Sequence, residues 1–187
     1  PIAAPFDAAV DTYRDADGII LDLRGNLGGV GGMSMGMAGH FLAERVSLGE
    51  MRTRQTDLQF RVNPRLTNRA GERVEPFAGP LAILQDGLSM STSEIFAQGL
   101  KAHDRARVFG TTSGGQALPS RLETLPSGDV LQFAFADFIS PDGVRLEGRG
   151  VIPDQEVPLR RDDLLARRDA PLEAAVDWIV HENTDDH

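Results

Sequence analysis

Ser91 is the residue whose type and position most clearly suggest catalysis. It is the middle one of three serines at alternate positions, it follows a buried apolar segment at 81–84, and it precedes a predicted helix that begins near Thr92. At such a helix start, free backbone N–H groups and the positive end of the helix dipole can stabilise an oxyanion. Ser91 and Glu94 also fit a capping box, which needs no catalysis. This segment alone leaves both interpretations open.

A glycine-rich loop at residues 24–29 follows a second buried apolar segment, 19–23. Glycines permit a tight turn from a strand into a helix, which would be a purely structural role. The same loop could instead present a backbone N–H group as a second oxyanion donor. No lysine follows the glycines, and their spacing matches neither a P-loop nor a dinucleotide fingerprint, so we do not expect a nucleotide site.

Hydrophobic periodicity predicts the elements that must position these two loops. Buried strands alternate with helices in the first half, whereas alternating patterns and turn residues predict a strand-rich second half. The predicted elements are a helix at 6–16, a strand at 19–23, a helix at 30–44, a hairpin within 45–64, strands at 81–84 and 106–109 around a helix at 92–103, a strand at 130–135 and a closing helix at 162–183. The sequence therefore predicts an α/β fold.

Composition excludes several classes of function. The formal net charge of −9 and the pI near 4.9 argue against binding to nucleic acid, because phosphates would be repelled. The absence of cysteine excludes disulfides and thiolate chemistry, and no apolar run reaches the ~20 residues of a transmembrane helix. At this length we expect residues 1–187 to form a single domain. Since the sequence begins with Pro1 and not with an initiator Met, we also expect it to be a fragment that lacks an N-terminal segment.

An ordered set of motifs gives a resemblance to a known family. Residues 21–29 (LDLRGNLGG) resemble a DLRxNxGG loop, residues 89–97 (SMSTSEIFA) resemble an SASASEIFA segment, residues 105–111 and 131–138 continue the likeness, and residues 147–154 (EGRGVIPD) resemble EGxGIxPD. Single motifs of this kind are weak evidence, but the ordered set is specific. The chain thus resembles the tail-specific (carboxyl-terminal processing) serine peptidases.

This resemblance implies a site and a fold. It implies that Ser91 is the nucleophile and that the N–H groups of Thr92 and of Gly28 or Gly29 form the oxyanion hole. It implies a crotonase-like or Clp-type ββα spiral core, with a strand-rich C-terminal half and a closing C-terminal helix. The substrate would be a peptide or a protein, and neither a metal ion nor a cofactor is expected.

One departure from the family pattern concerns the general base. The base of tail-specific peptidases is a lysine in a Gly-Lys-Gly turn, but residues 113–117 read Ser-Gly-Gly-Gln-Ala, so Gln116 takes that place. The chain's one lysine, Lys101, lies about ten residues along the helix from Ser91, which at ~1.5 Å per residue is too far. The chain is therefore more similar to the branch of tricorn protease and interphotoreceptor retinoid-binding protein, which uses Ser/His/Glu.

In that branch the resemblance gives Glu147 the role of orienting the histidine. No histidine precedes Leu23, and we expect His40, on the helix after the glycine loop, to be a helix-packing or partly exposed residue rather than the base. We therefore expect the catalytic histidine in a segment N-terminal to Pro1. The alternative function is a non-catalytic ligand- or peptide-binding module on the same fold. The family resemblance favours export to the periplasm or medium without excluding the cytoplasm, and the sequence leaves the oligomeric state open.

Overall fold

The computed structural model describes residues 2–185, which form fourteen helices and strands. In chain order these are α1 (Ala3–Thr12), β1 (Ile19–Asp22), α2 (Gly31–Ala38), β2 (Val46–Arg52), β3 (Asp57–Val62), β4 (Leu81–Gln85), α3 (Thr92–Ala102), β5 (Arg107–Gly110), β6 (Ser120–Thr124), β7 (Val130–Ala134), β8 (Asp137–Ile139), β9 (Gln155–Glu156), α4 (Arg161–Leu165) and α5 (Ala170–Asp185). Among the described residues, no helix has the length and apolar character needed to cross a bilayer.

A four-stranded parallel sheet with the order β1-β4-β5-β9 carries the core. Every residue of β4 is buried, as expected for a central strand covered on both faces. Leu81 and Ile83 pack into one apolar cluster, whereas Ala82 and Leu84 pack into a second cluster with helix α5. Because successive strand side chains point to opposite faces, β4 joins both layers.

The other strands form two smaller sheets. Strands β3, β2 and β8 make an antiparallel sheet in that order, and within residues 2–185 strands β6 and β7 pair only with each other as a hairpin. Strand β2 also contacts helix α3, which leads away from the serine segment. The mixed α/β architecture with a closing C-terminal helix confirms the predicted fold class, whereas the crotonase-like assignment stays a prediction.

The structure shifts one predicted helix, shortens a second and divides a third. The helix predicted at 6–16 is α1, which ends at Thr12. The helix predicted at 30–44 ends at Ala38, and the Gly39 and His40 carbonyls accept hydrogen bonds from the N–H groups of Arg65 and Phe77 instead of continuing it. The helix predicted at 162–183 is two helices, α4 and α5. Pro171 lies in the first turn of α5, where its missing N–H is tolerated, but it could not continue a helix from α4.

Candidate active site

The segments singled out from the sequence meet at one edge of the parallel sheet. The glycine loop follows β1, the serine segment follows β4, and residues 111–117 follow β5. These three strands are adjacent and parallel. Their carboxyl ends therefore lie side by side, which is where open α/β sheets place their binding sites.

Ser91 occupies the turn between β4 and α3 with an unusual backbone. Its φ of 56° and ψ of −120° lie outside the regions that residues other than glycine adopt readily. Such a backbone conformation costs about 1–3 kcal/mol. In hydrolases, a strained turn between a strand and a helix exposes the nucleophile. Ser91 and Glu94 form a capping box here, but a residue that caps a helix N-terminus normally has a β-region backbone, so capping does not require this conformation. The strain therefore points to a role beyond capping.

The two neighbouring serines are committed to the framework. Ser89 is buried, and its hydroxyl donates to the Leu23 carbonyl at 2.7 Å. Ser93 is also buried, and its hydroxyl donates to the Asn26 carbonyl at 3.2 Å. Both bonds attach the serine segment to the glycine loop. Of the three serines, only Ser91 lines the cavity that also contains Gln116 and Glu147.

Glu94 holds the Ser91 turn in place. Its fully buried carboxylate accepts a hydrogen bond from the Ser91 N–H at 2.9 Å, as expected for Glu94 in the predicted capping box. It also accepts from the Ser113 hydroxyl at 2.6 Å and from the N–H groups of Gly115 and Gln116 at 2.7 and 3.0 Å. Four donors compensate the burial of the charge. Glu94 therefore fixes the serine relative to the loop after β5.

The glycine loop touches the serine turn. A Cβ at Gly28, whose φ is +93°, would lie 2.6 Å from the Ser91 Cβ and 2.8 Å from the Met90 carbonyl oxygen. The Gly28 N–H donates to the Asn26 side chain at 2.9 Å. Within the described residues, the N–H groups of Gly29 and Thr92 donate no hydrogen bond, while the Thr92 hydroxyl donates to the Gly29 carbonyl at 2.8 Å.

Arg24 anchors this loop to the C-terminal part of the chain. Its guanidinium lies 2.6 Å from Asp22 and makes two further hydrogen bonds to Asp169 at 2.7 and 2.8 Å. Burial opposes ionisation of Asp22, but the hydrogen bonds from Arg24 outweigh it and lower its pKa. The hydrogen bond from Arg24 likewise lowers the pKa of Asp169.

Ser91, Gln116 and Glu147 line one cavity of about 520 Å³. One carboxylate oxygen of Glu147 accepts hydrogen bonds from the N–H groups of Ala117 and Leu118 at 2.8 and 3.1 Å. These bonds fix the carboxylate and leave its second oxygen without a partner among the described residues. The structure thus brings Glu147, which is far from Ser91 in the sequence, to the same cavity.

No histidine or lysine lines this cavity among residues 2–185. His40 lies in the turn beyond α2 rather than on the helix, where it is buried, bonds Asp7 at 2.8 Å and packs against the ring of Phe6. His103 bonds the Ser47 carbonyl. Lys101 pairs with Asp154 at 2.8 Å. The described residues therefore bring neither a histidine nor a lysine to the Ser91 cavity as a base.

An apolar cavity of about 210 Å³ lies on the other side of the glycine loop. Gly28, Gly29 and Thr92 form its border with the serine turn, and its walls include Met33, Met37 and Phe96. Met33 and Met37 are four residues apart and therefore share one face of α2. From the sequence, the methionines at alternate positions 33, 35 and 37 share no common face, so core packing is the simpler expectation and an apolar wall for the substrate is the alternative.

Fold and site together define a class of protein. A strained serine between a parallel strand and a helix, beside two backbone N–H groups without partners and a fixed carboxylate, is the arrangement typical of serine hydrolases that work by acyl transfer. Sequence comparison supports the class of serine hydrolases and identifies the family within it. Residues 3–157 match the model of Peptidase family S41, and the chain belongs to this family of serine peptidases.

Individual relatives carry the same assignment. The chain is 30% identical over 137 residues to the carboxy-terminal-processing protease of Bartonella bacilliformis, covering 73% of this chain and 30% of that protein. It is similar to the solved photosystem II D1 C-terminal processing protease, with a TM-score of 0.67 and 25% identity over 83% of this chain and 39% of the other. The tricorn protease shares the fold, with a TM-score of 0.66, 24% identity and coverage of 89% and 15%. The chain thus spans about a third of the length of its curated relatives.

Proposed function

We propose that this chain is the catalytic core of a serine peptidase that cleaves peptide bonds through an acyl-enzyme on Ser91. The Ser91 hydroxyl would attack the substrate carbonyl carbon and transfer its proton to a base. The base would then protonate the leaving amine, and water would release the acyl group. One observation carries this proposal: among the three neighbouring serines, only Ser91 combines a strained backbone with a place in an open cavity.

The N–H groups of Thr92 and Gly29 would bind the oxyanion. Thr92 is the first residue of α3, so its N–H has no partner within the helix and lies at the positive end of the dipole. The Gly28 N–H is bonded to Asn26, which favours Gly29 as the second donor. One such donor contributes about 10²–10³-fold to kcat in a well-formed oxyanion hole.

A histidine from outside these 187 residues would act as the base, and Glu147 would orient it. Gln116 lines the Ser91 cavity where related peptidases have a lysine, but an amide cannot accept the serine proton at neutral pH. The unpartnered oxygen of Glu147 is free to accept an N–H of an imidazole and stabilise the imidazolium. This is the Ser/His/Glu arrangement, and it needs neither a metal ion nor a cofactor.

The substrate would be a peptide or protein chain with a small or medium apolar residue next to the cleaved bond. The apolar cavity beside Gly29 and Thr92 has a suitable place and volume for such a side chain. Its methionine walls can adapt to different apolar shapes. The carboxy-terminal-processing relatives suggest cleavage near a C-terminus, and we propose export of the full protein on the same resemblance.

A fluorophosphonate probe on the full-length protein tests the proposal. We expect covalent labelling at Ser91, loss of labelling in Ser91→Ala, and retained labelling in the matched variant Ser93→Ala, since the Ser93 hydroxyl is buried against the Asn26 carbonyl. Labelling that survives Ser91→Ala would contradict the assignment. An absence of labelling in the wild type would instead support a non-catalytic peptide-binding module.

A further inference from the structure

We propose that one face of the β6–β7 hairpin is an extended subsite that binds alternate apolar side chains of the peptide substrate. Leu122 and Val130 are the contact residues of this subsite. The inference rests on the proposed function, because the hairpin face continues the wall of the Ser91 cavity. It goes further by assigning a place where residues distant from the cleaved bond are recognised.

The register of the hairpin places these residues on the catalytic side. Ser120 pairs with Ala134, Leu122 with Gln132, and Thr124 with Val130. Directly opposed residues of an antiparallel pair share a face, as do alternate residues along each strand. All six therefore lie on one face. Ser120, Gln132 and Ala134 of this face line the Ser91 cavity.

Leu122 and Val130 continue this face beyond the cavity and are strongly exposed, with 68% and 61% of their surface accessible. The opposite face is more occupied, because the Arg121 guanidinium covers the Phe133 ring at 4.8 Å. Within the described residues, the hairpin pairs with no third strand. A two-stranded hairpin is marginal by itself in water, and a bound chain would bury its apolar side chains.

An extended peptide fits the spacing of this face. Side chains on one face of a strand repeat every ~6.6 Å, and those of an extended peptide have the same repeat. A peptide that reaches from the Ser91 cavity along the hairpin would meet Leu122 and then Val130 with successive same-side residues. The preferred occupant is therefore a peptide with apolar residues at alternate positions, and continuity with the Ser91 cavity distinguishes it from an unrelated partner.

Peptide affinity measured without turnover provides the test. In full-length Ser91→Ala protein, fluorescence anisotropy would compare two fluorescein-labelled extended peptides, one with leucine and one with serine at alternate positions. We expect the leucine peptide to bind more tightly and Leu122→Ser to weaken its affinity by about tenfold. Leu131→Ser is the matched control, since Leu131 is 46% exposed but points to the opposite face.

The conservative variant Leu122→Met should retain the leucine-peptide affinity to within about twofold, because a methionine side chain covers a similar apolar area. Equal losses in Leu122→Ser and Leu131→Ser, or a loss in Leu122→Met as large as in Leu122→Ser, would overturn the proposal. So would a Leu122→Ser variant whose self-association changes in sedimentation while its peptide affinity does not, because the face would then pair with a second copy.

The test of the hairpin subsite and the test of the proposed peptidase function can give different results. Catalysis by Ser91 is tested by fluorophosphonate labelling of the wild type, whereas the subsite is tested by binding to a protein that lacks the nucleophile. Selective binding together with no labelling would retain the subsite and reject the peptidase. Labelling at Ser91 together with identical affinities for the two peptides would retain the peptidase and reject the subsite.

Discussion

Substitution of Gly28 by alanine tests the contact between the glycine loop and the nucleophile. The added Cβ would lie 2.6 Å from the Ser91 Cβ, 2.8 Å from the Met90 carbonyl oxygen and 3.0 Å from the Thr92 nitrogen. Two of these atoms are backbone, so they cannot move aside by a change of rotamer. The φ of +93° is an additional strain for any side chain. We expect the loop to separate from the serine turn.

The expected loss of stability follows from the steric clash and from the positive φ. Overpacking in a well-packed site costs about 1–3 kcal/mol, and an unfavourable φ costs about 1–3 kcal/mol. We expect Gly28→Ala to lower the free energy of unfolding by about 3 kcal/mol. With a urea dependence near ~2 kcal/mol/M, the unfolding midpoint would fall by about 1.5 M. Trp178, the chain's single tryptophan, reports the transition through its fluorescence.

Gly29→Ala is the matched control. A Cβ at Gly29 would meet no atom within 4 Å, and its φ is not in the positive range. Its free energy of unfolding should stay within about 0.5 kcal/mol of the wild type. Fluorophosphonate labelling should fall sharply in Gly28→Ala and persist in Gly29→Ala. Equal effects of the two alanines would refute the close contact between this loop and Ser91.

Three further substitutions test the site. Glu147→Gln should lower kcat for peptide hydrolysis by roughly 10²–10⁴-fold, because a neutral amide stabilises an imidazolium poorly; an unchanged kcat would remove Glu147 from the mechanism. Gln116→Lys should raise the rate of fluorophosphonate labelling of Ser91 in this chain by roughly tenfold. The rate should increase with pH, because the lysine amine acts as a base only after it loses its proton. A pH-independent rate would argue against an amine within reach of Ser91. Asp169→Asn should cost about 1 kcal/mol of unfolding free energy at neutral pH, because Arg24 lowers the pKa of Asp169. Since the pKa of Asp169 in the folded protein lies below the unfolded value of 3.8, the stabilisation is complete above 3.8 and is lost as the pH falls from there through the folded pKa, so the difference from wild type in urea titrations should shrink over that range.

The sequence was informative about elements that local patterns specify. Strands β1, β4 and β5 and helix α3 lie close to their predicted positions, because apolar runs and turn residues act over a few neighbours. The predicted C-terminal end of α2 and the single helix predicted at 162–183 were wrong. The first depends on hydrogen bonds that the Gly39 and His40 carbonyls accept from distant segments, and the second on a proline in a periodic apolar pattern. Neither effect is visible in hydrophobic periodicity.

By itself, the sequence determined the family, the serine segment and the glycine loop, because these are local motifs in a fixed order. Only the tertiary structure decided which atoms meet. It brings Glu147 to the Ser91 cavity, makes Glu94 a bridge between two loops, and places Gly28 against the Ser91 turn. The physical reason is that the three site loops are distant along the chain and come together only when parallel strands align their carboxyl ends.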